Sequence, residues 1–202
     1  MLKSRSLGIS RGSPIGDWRE MSEYPSRLAS AAIEFDLILT GCAPEEAKVR
    51  VTGLPDGWVE DRGNRLFGGE VPVSVWFSPI ESYGNGMPFS DNAVLVVYKV
   101  EGSAWREHGS ALVSAAIEDS ISIPGWSALG DAFHHGGADQ DSVKVVGMLE
   151  SPYGSLLSIV TTSYVKGDEC DFLVQLTVTS LMSSSVVSST DPAARIDFAS
   201  TV

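Results

Sequence analysis

The chain has 202 residues, 43% of them hydrophobic, enough for one sizeable core and hence for one domain. A formal net charge of −12 excludes a body that attracts polyanions, and no apolar run approaches the roughly 20 residues of a helical membrane span. Twenty glycines and ten prolines break the chain into short apolar runs, the composition of many turns and short strands.

Residues 1–27 hold five basic side chains (Lys3, Arg5, Arg11, Arg19, Arg27) against three acidic ones, so the acidity lies in the rest of the chain. This segment has no apolar period and reads as a flexible arm, the only part able to attract an anion. A strand is predicted from Ala32 to Thr40, where Ile33, Phe35, Leu37 and Leu39 alternate with Glu34, Asp36 and Ile38. Lys48 to Thr52 alternates again, and Leu54-Pro55-Asp56-Gly57 is a turn. Asp61 to Gly69 reads as a polar loop. Val71 to Phe77 reads as a strand in which Pro72 marks either an edge or a first unpaired position.

Tyr83 to Asp91, rich in Gly, Asn and Pro, reads as a loop before Ala93 to Val100, which is apolar on both faces and so central. Between Ser103 and Asp119 the spacing of Trp105, Leu112 and Ala116 predicts a short helix, followed by a strand. Ser127 to Phe133 reads as a helical turn. Strands follow at Ser142 to Glu150, Ser155 to Ser163 and Cys170 to Met182, the last with Phe172, Val174, Leu176 and Val178 on one side and Gln175, Thr177 and Thr179 on the other. Eight or nine strands with short connections predict an all-β fold. The expected form is a two-sheet antiparallel sandwich of jelly-roll type, about eight strands with one or two short helices, over residues 28–182, closed by a Ser-rich tail at 183–202.

Cys42 and Cys170 lie in no metal-binding or CxxC spacing and read as free, buried thiols. Leu39-Thr40-Gly41-Cys42 has the residue types of a lipobox, but Glu34 and Asp36 interrupt the apolar segment that a signal requires. His134 and His135 sit near Asp131, Asp139 and Asp141, yet the spacing matches no zinc or EF-hand pattern, and adjacent residues of an extended chain point apart. No nucleophile elbow or phosphate loop occurs. No enzyme activity, cofactor or metal is therefore expected.

The stretch from Glu150-Ser151-Pro152 through the Leu-rich segment to Ile159, then Cys170 to Leu181 and the Ser-rich end, resembles the last two strands of tymovirus-type coat proteins. Val73 to Pro79 is similar to an aromatic-Pro strand end in the same proteins. The resemblance implies an icosahedral shell subunit of a small RNA virus, assembling with itself and found in the virion, or in host cytoplasm during assembly. It would touch RNA weakly through Lys3, Arg5, Arg11, Arg19 and Arg27. Carboxylates at subunit contacts, among Glu45, Glu46, Asp168, Glu169 and Asp171, would then make assembly sensitive to pH and divalent ions.

Two other readings compete. Gly69 to Val75 is loosely similar to a strand of thirty-kilodalton plant-virus movement proteins. Alternatively, five tryptophans suit a secreted β-sandwich module that binds carbohydrate or protein.

Overall fold

The computed structural model describes residues 26–66, 71–102, 107–136, 140–167, 169–182 and 195–198. The first element among the described residues is a helix, α1 (Arg27–Glu34), which takes the start of the Ala32 to Thr40 stretch where alternation predicts a strand. Leu28, Ala31, Ala32 and Phe35 recur at helical spacing, and all four pack into one core. Ser26 caps the helix by accepting from Ala29 N at 3.2 Å. Asp119 completes the cap from across the fold, accepting from Arg27 N at 2.7 Å, Leu28 N at 3.1 Å and Ser26 Oγ at 2.6 Å. The chain reverses at Asp36 (φ 54°) and enters β1 (Leu37–Gly41).

After β2 (Val49–Thr52) comes β3 (Val59–Leu66), in a stretch whose polarity reads as a loop. It is a strand because β4 (Val71–Gly84) pairs along it, from Val59 opposite Phe77 to Leu66 opposite Val71. Pro72 is one residue short of the first pair between β4 and β5 (Met87–Gly102), Val73 with Val96, so its missing N–H costs no bond on that side. The expected loop at Tyr83–Asp91 is instead continuous strand broken only by Asn85 and Gly86. Both have positive φ, 50° and 77°, as a tight hairpin turn requires.

The stretch after Ser103 forms one helix, α2 (Gly109–Ile121), with no following strand. Leu112, Val113, Ala116 and Ile117 are buried on one side, which explains the mixed periodicity. Two short strands, β6 (Trp126–Ala128) and β7 (Phe133–Gly136), replace the expected helical turn. Then come β8 (Gln140–Ser151), β9 (Gly154–Val165) and β10 (Asp171–Leu181), where the alternation predicts them. Within the Ser-rich tail, β11 (Arg195–Phe198) pairs with β2.

The fold is all-β and antiparallel, with two sheets and two helices among the described residues. The strands divide nine to two. The large sheet runs β3-β4-β5-β10-β9-β8, with β6 and β7 in tandem on the outer edge of β8 and β1 beyond β4 on the same edge of β5. The small sheet covers one face, where Val49, Val51 and Ile196 meet Leu95, Val97, Val174, Leu176 and Val178. The helices cover part of the other, over Val100, Val143, Val145, Val160, Tyr164 and Leu173. Each fully buried Leu or Val contributes roughly 1.5–3 kcal/mol, and β10 buries such residues on both faces.

Asp119→Ala removes the remote cap of α1. Stability should fall by about 1–2 kcal/mol, with amide protection lost at Arg27 and Leu28 but kept in β10. Unchanged protection at both helix amides would show that the carboxylate does not hold α1.

Candidate functional site

Cross-strand register sets out the helix-bearing face in rows. One row runs Phe77, Asn92, Thr179, Ser158, Gly147 across β4, β5, β10, β9 and β8. The next row towards the helices runs Val75, Val94, Thr177, Val160, Val145. On the far side, Leu181, Leu156 and Leu149 form a third row, closed over by Phe89 and Tyr153 from the hairpin and turn that meet there.

The helices do not cover this face evenly. Gln175 fastens α2 over the β8–β9 side, its Nε2 donating to Thr162 Oγ1 at 3.0 Å, Ser120 Oγ at 3.1 Å and Ala116 O at 3.3 Å. Helix α1 lies over the β1 end, against Leu37, Val100 and Tyr98. The β4–β5–β10 quarter is left partly open. Phe77 is 39% exposed and its partner Val59 61%, while Val94, Asn92 and Thr177 are half-buried in the middle of interior strands. An interior-strand residue keeps contact with solvent only where no layer lies over it.

The border of this quarter is acidic. Asp61 stands opposite Val75 at the β3 side, and Glu118 and Asp119 lie on α2. Arg27, on α1, pairs with Glu118. Tyr98 forms the upper edge. Burial, reinforced by the charge of Asp119, pushes its phenol up to about 12, so it is a neutral hydroxyl at physiological pH.

No family model and no curated protein matches the sequence. Among solved structures, the fold is similar to LpqN of Mycobacterium tuberculosis, described as involved in cell envelope biogenesis. That match has 13% identity and a TM-score of 0.61, and it covers 82% of this chain and 90% of LpqN. Mog1, the Ran-binding protein of Saccharomyces cerevisiae, matches at 14% identity and a TM-score of 0.37, over 76% of this chain and 83% of Mog1.

The likeness to LpqN overturns the shell-subunit reading: the similar fold is that of a protein described by cell envelope biogenesis, not a viral capsid. The terms that depended on it, virion, RNA virus and icosahedral assembly, fall with it. The resemblance rested on period-2 strands with a Ser-Pro start, a pattern that any antiparallel sheet with buried strands reproduces.

Of the basic residues expected to face RNA, Lys3, Arg5, Arg11 and Arg19 lie outside the described residues. Among the carboxylates expected at subunit contacts, Asp168 lies outside them too. Glu45 and Glu46 occupy the exposed turn before β2, where Glu46 Oε1 accepts from Ala43 N at 3.1 Å. Glu169 is exposed. Asp171 is 0% exposed and cannot meet another subunit. It accepts instead from Tyr164 Oη at 2.8 Å and Gly167 N at 3.0 Å, closing the β9–β10 connection.

His134 and His135 are exposed on β7, and no group of three or more His, Cys, Asp or Glu placed to hold a metal occurs among the described residues. Both cysteines are free and buried, as expected. Burial, then the charges of Glu46 and Cys170, pushes the Cys42 thiol up to about 12.

Reading from the sequence missed the open quarter. Gln175, Thr177 and Thr179 read as the solvent side of β10, yet α2 holds the first, solvent reaches the second, and the third is buried at 7% exposure.

Two measurements check this geometry. Tyr98 has a folded pKa above its unfolded one, so its contribution is present below pH 10 and is lost as pH rises towards 12. Tyr98→Phe should flatten the fall in stability over that window by about 2 kcal/mol, and an unaltered slope would count against burial of the phenol. Asp171→Ala should cost about 2–4 kcal/mol by stranding Tyr164 Oη and Gly167 N. A stability within 0.5 kcal/mol of the parent, roughly that of a surface change, would return Asp171 to the exposed carboxylates.

Proposed function

We propose that the protein is a non-catalytic binding module which takes its ligand on the open quarter of the helix-bearing face. The observation that carries this is the partial exposure of Val94, Asn92 and Thr177 in strands flanked on both edges, next to the exposed pair Phe77 and Val59. Among the described residues, five of the ten exposed large apolar side chains, Val59, Phe77, Ile80, Tyr83 and Met87, belong to β3, β4 and β5. Such concentration marks a binding surface more often than chance exposure does.

The arrangement suits binding and supplies little for chemistry. Phe77 presents a ring beside small polar side chains, the combination by which a surface gains affinity from area and specificity from a few hydrogen bonds. The supporting strands are rigid, held from beneath by Leu95, Val97, Val174 and Leu176. A preformed platform of this kind loses little conformational freedom when a ligand arrives. This reading belongs to the binding-module class set out from the sequence, and the fold likeness to LpqN is compatible with it.

Backbone amide shifts recorded while panels of neutral glycans, lipids and peptides are titrated in should single out Val94, Thr177 and Phe77. Phe77→Ala should weaken whatever binds by about tenfold, the effect of truncating a central aromatic contact, with little loss of stability because the ring is already exposed. Shifts confined to β7 or to the turn at 44–48 would refute the placement.

A further inference from the structure

The two strands of the small sheet are held unequally. β2 and β11 have four residues each and pair from Arg195 opposite Thr52 to Phe198 opposite Val49. A two-stranded ribbon is marginal unless other layers support it. β2 has that support: Val49 and Val51 sit on the cluster of Leu95, Val97, Val174, Leu176 and Val178, and the turn leading into it is tied by Glu46 N to Ala43 O, Lys48 N to Glu45 O and Val49 N to Pro44 O. β11 pairs with β2 and with no other strand among the described residues, and it meets the same cluster through Ile196, itself half-buried. Thirteen residues, 182–194, separate it from the end of β10 at Leu181. Fully extended they span about 43 Å, so β11 can leave β2 while β10 stays in place. A four-residue ladder and one half-buried side chain stand against the conformational freedom of the whole segment. Segments held in this way open first.

Opening exposes a strand edge with a defined pattern. Val49 is buried and Val51 half-buried while Arg50 between them is exposed, so the positions opposite the two valines fall on the core side and the position opposite Arg50 falls on the outer side. Lys48 and Arg50 are both exposed, a local cationic pair in a chain of 26 acidic and 14 basic residues. β11 answers that pattern, with Ile196 opposite Val51, Asp197 opposite Arg50 and Phe198 opposite Val49.

We propose that β2 is a strand-accepting slot for an extended segment of another protein, in which two apolar residues flank an acid, and that β11 occupies it as a competitor within the chain. Main-chain bonds to a strand edge supply affinity, and alternate side chains supply specificity. The slot lies on the face of the large sheet opposite the helices, so it is separate from the open quarter. A second copy carries the same strand, but a net charge of −12 on each copy opposes bringing two together.

The test uses 15N-labelled full-length protein and a synthetic peptide copying residues 193–200. As peptide is added, the amides of Arg195–Phe198 should move to free-chain positions, half displaced at about 1 mM, the effective concentration of a tethered strand. Those of Val49–Thr52 should stay protected from hydrogen exchange. A peptide carrying Ile196→Pro, which lacks both the donor and the aliphatic side chain, should displace nothing. In the protein, Ile196→Ser weakens the competitor and should tighten peptide binding by about tenfold, a gain that a purely structural β11 would not give. A peptide carrying Asp197→Lys should bind the parent about fivefold more weakly and regain that loss on Arg50→Glu. If Ile196→Ser fails to fold, this charge exchange decides the matter. Arg195–Phe198 amides unmoved at about 10 mM peptide, ten times the tethered concentration, overturn the slot. So does a folded Ile196→Ser protein that takes the peptide no better than the parent. Peptide shifts confined to Phe77, Val94 and Thr177 overturn the slot and leave the open quarter standing. Dimers that form with rising protein concentration and no peptide overturn the choice of partner in favour of a second copy.

Discussion

The structure depends on burying both faces of β10. Val174, Leu176 and Val178 need an apolar layer on one side, and Leu173, with Val100 and Tyr164 on flanking strands, needs another on the opposite side. One sheet with a single covered face cannot meet both needs. The chain supplies a small sheet for the first and a pair of helices for the second, and the fastening points are polar. Gln175 ties α2 to the sheet, Asp119 ties α1 to α2, and Asp171 closes the connection into β10. Hydrogen bonds of this kind contribute modestly when made and cost more when one partner is left alone. They therefore fix where each layer sits more than how strongly it is held.

Uneven cover follows from helix length. Helix α2 has 13 residues and α1 has 8; at about 1.5 Å per residue they span roughly 20 Å and 12 Å. A sheet six strands wide from β3 to β8 extends about 24 Å across its strands. With two helices that short, one over β8–β9 and one over the β1 end, Phe77, Asn92, Val94 and Thr177 keep contact with solvent, while Val73, Val75 and Val96 on the same face are buried. The exposed ring of Phe77 and the half-buried Val94 and Thr177 are consequences of that shortfall. A surface left open by a rigid scaffold, apolar on one side and lined by small polar side chains on the other, has the make-up of a ligand site.

Much of the strand content was legible in the residues. Val71–Phe77, Ala93–Val100, Ser142–Glu150, Ser155–Ser163 and Cys170–Met182 all coincide with strands, because alternation or a β-rich apolar run is a local signal. Most of the errors arise where a distant segment decides the local structure. Leu28, Ala31, Ala32 and Phe35 satisfy a helical stripe, but Ile33, Phe35, Leu37 and Leu39 satisfy an extended one, and the cap that decides between them comes from Asp119, far along the chain. At 59–66 a strand forms without an apolar pattern because β4 supplies a full ladder. At Asn85-Gly86 two residues suffice for a turn that composition spreads over nine. The shell-subunit reading failed for the same reason that the strands succeeded: a period shared by many all-β folds carries no information about which surface is left free.

The residues by themselves determined an all-β antiparallel fold, a last long strand with one apolar side, two free thiols in the interior and an acidic body, because periodicity, residue type and charge are properties of short stretches. Tertiary structure alone decided which face of β10 meets helices, where those helices stop, and that Phe77, Asn92, Thr179, Ser158 and Gly147 fall in one row. That row joins five strands through cross-strand register, and register between distant segments is set by which layers pack on them, not by any signal within the segments.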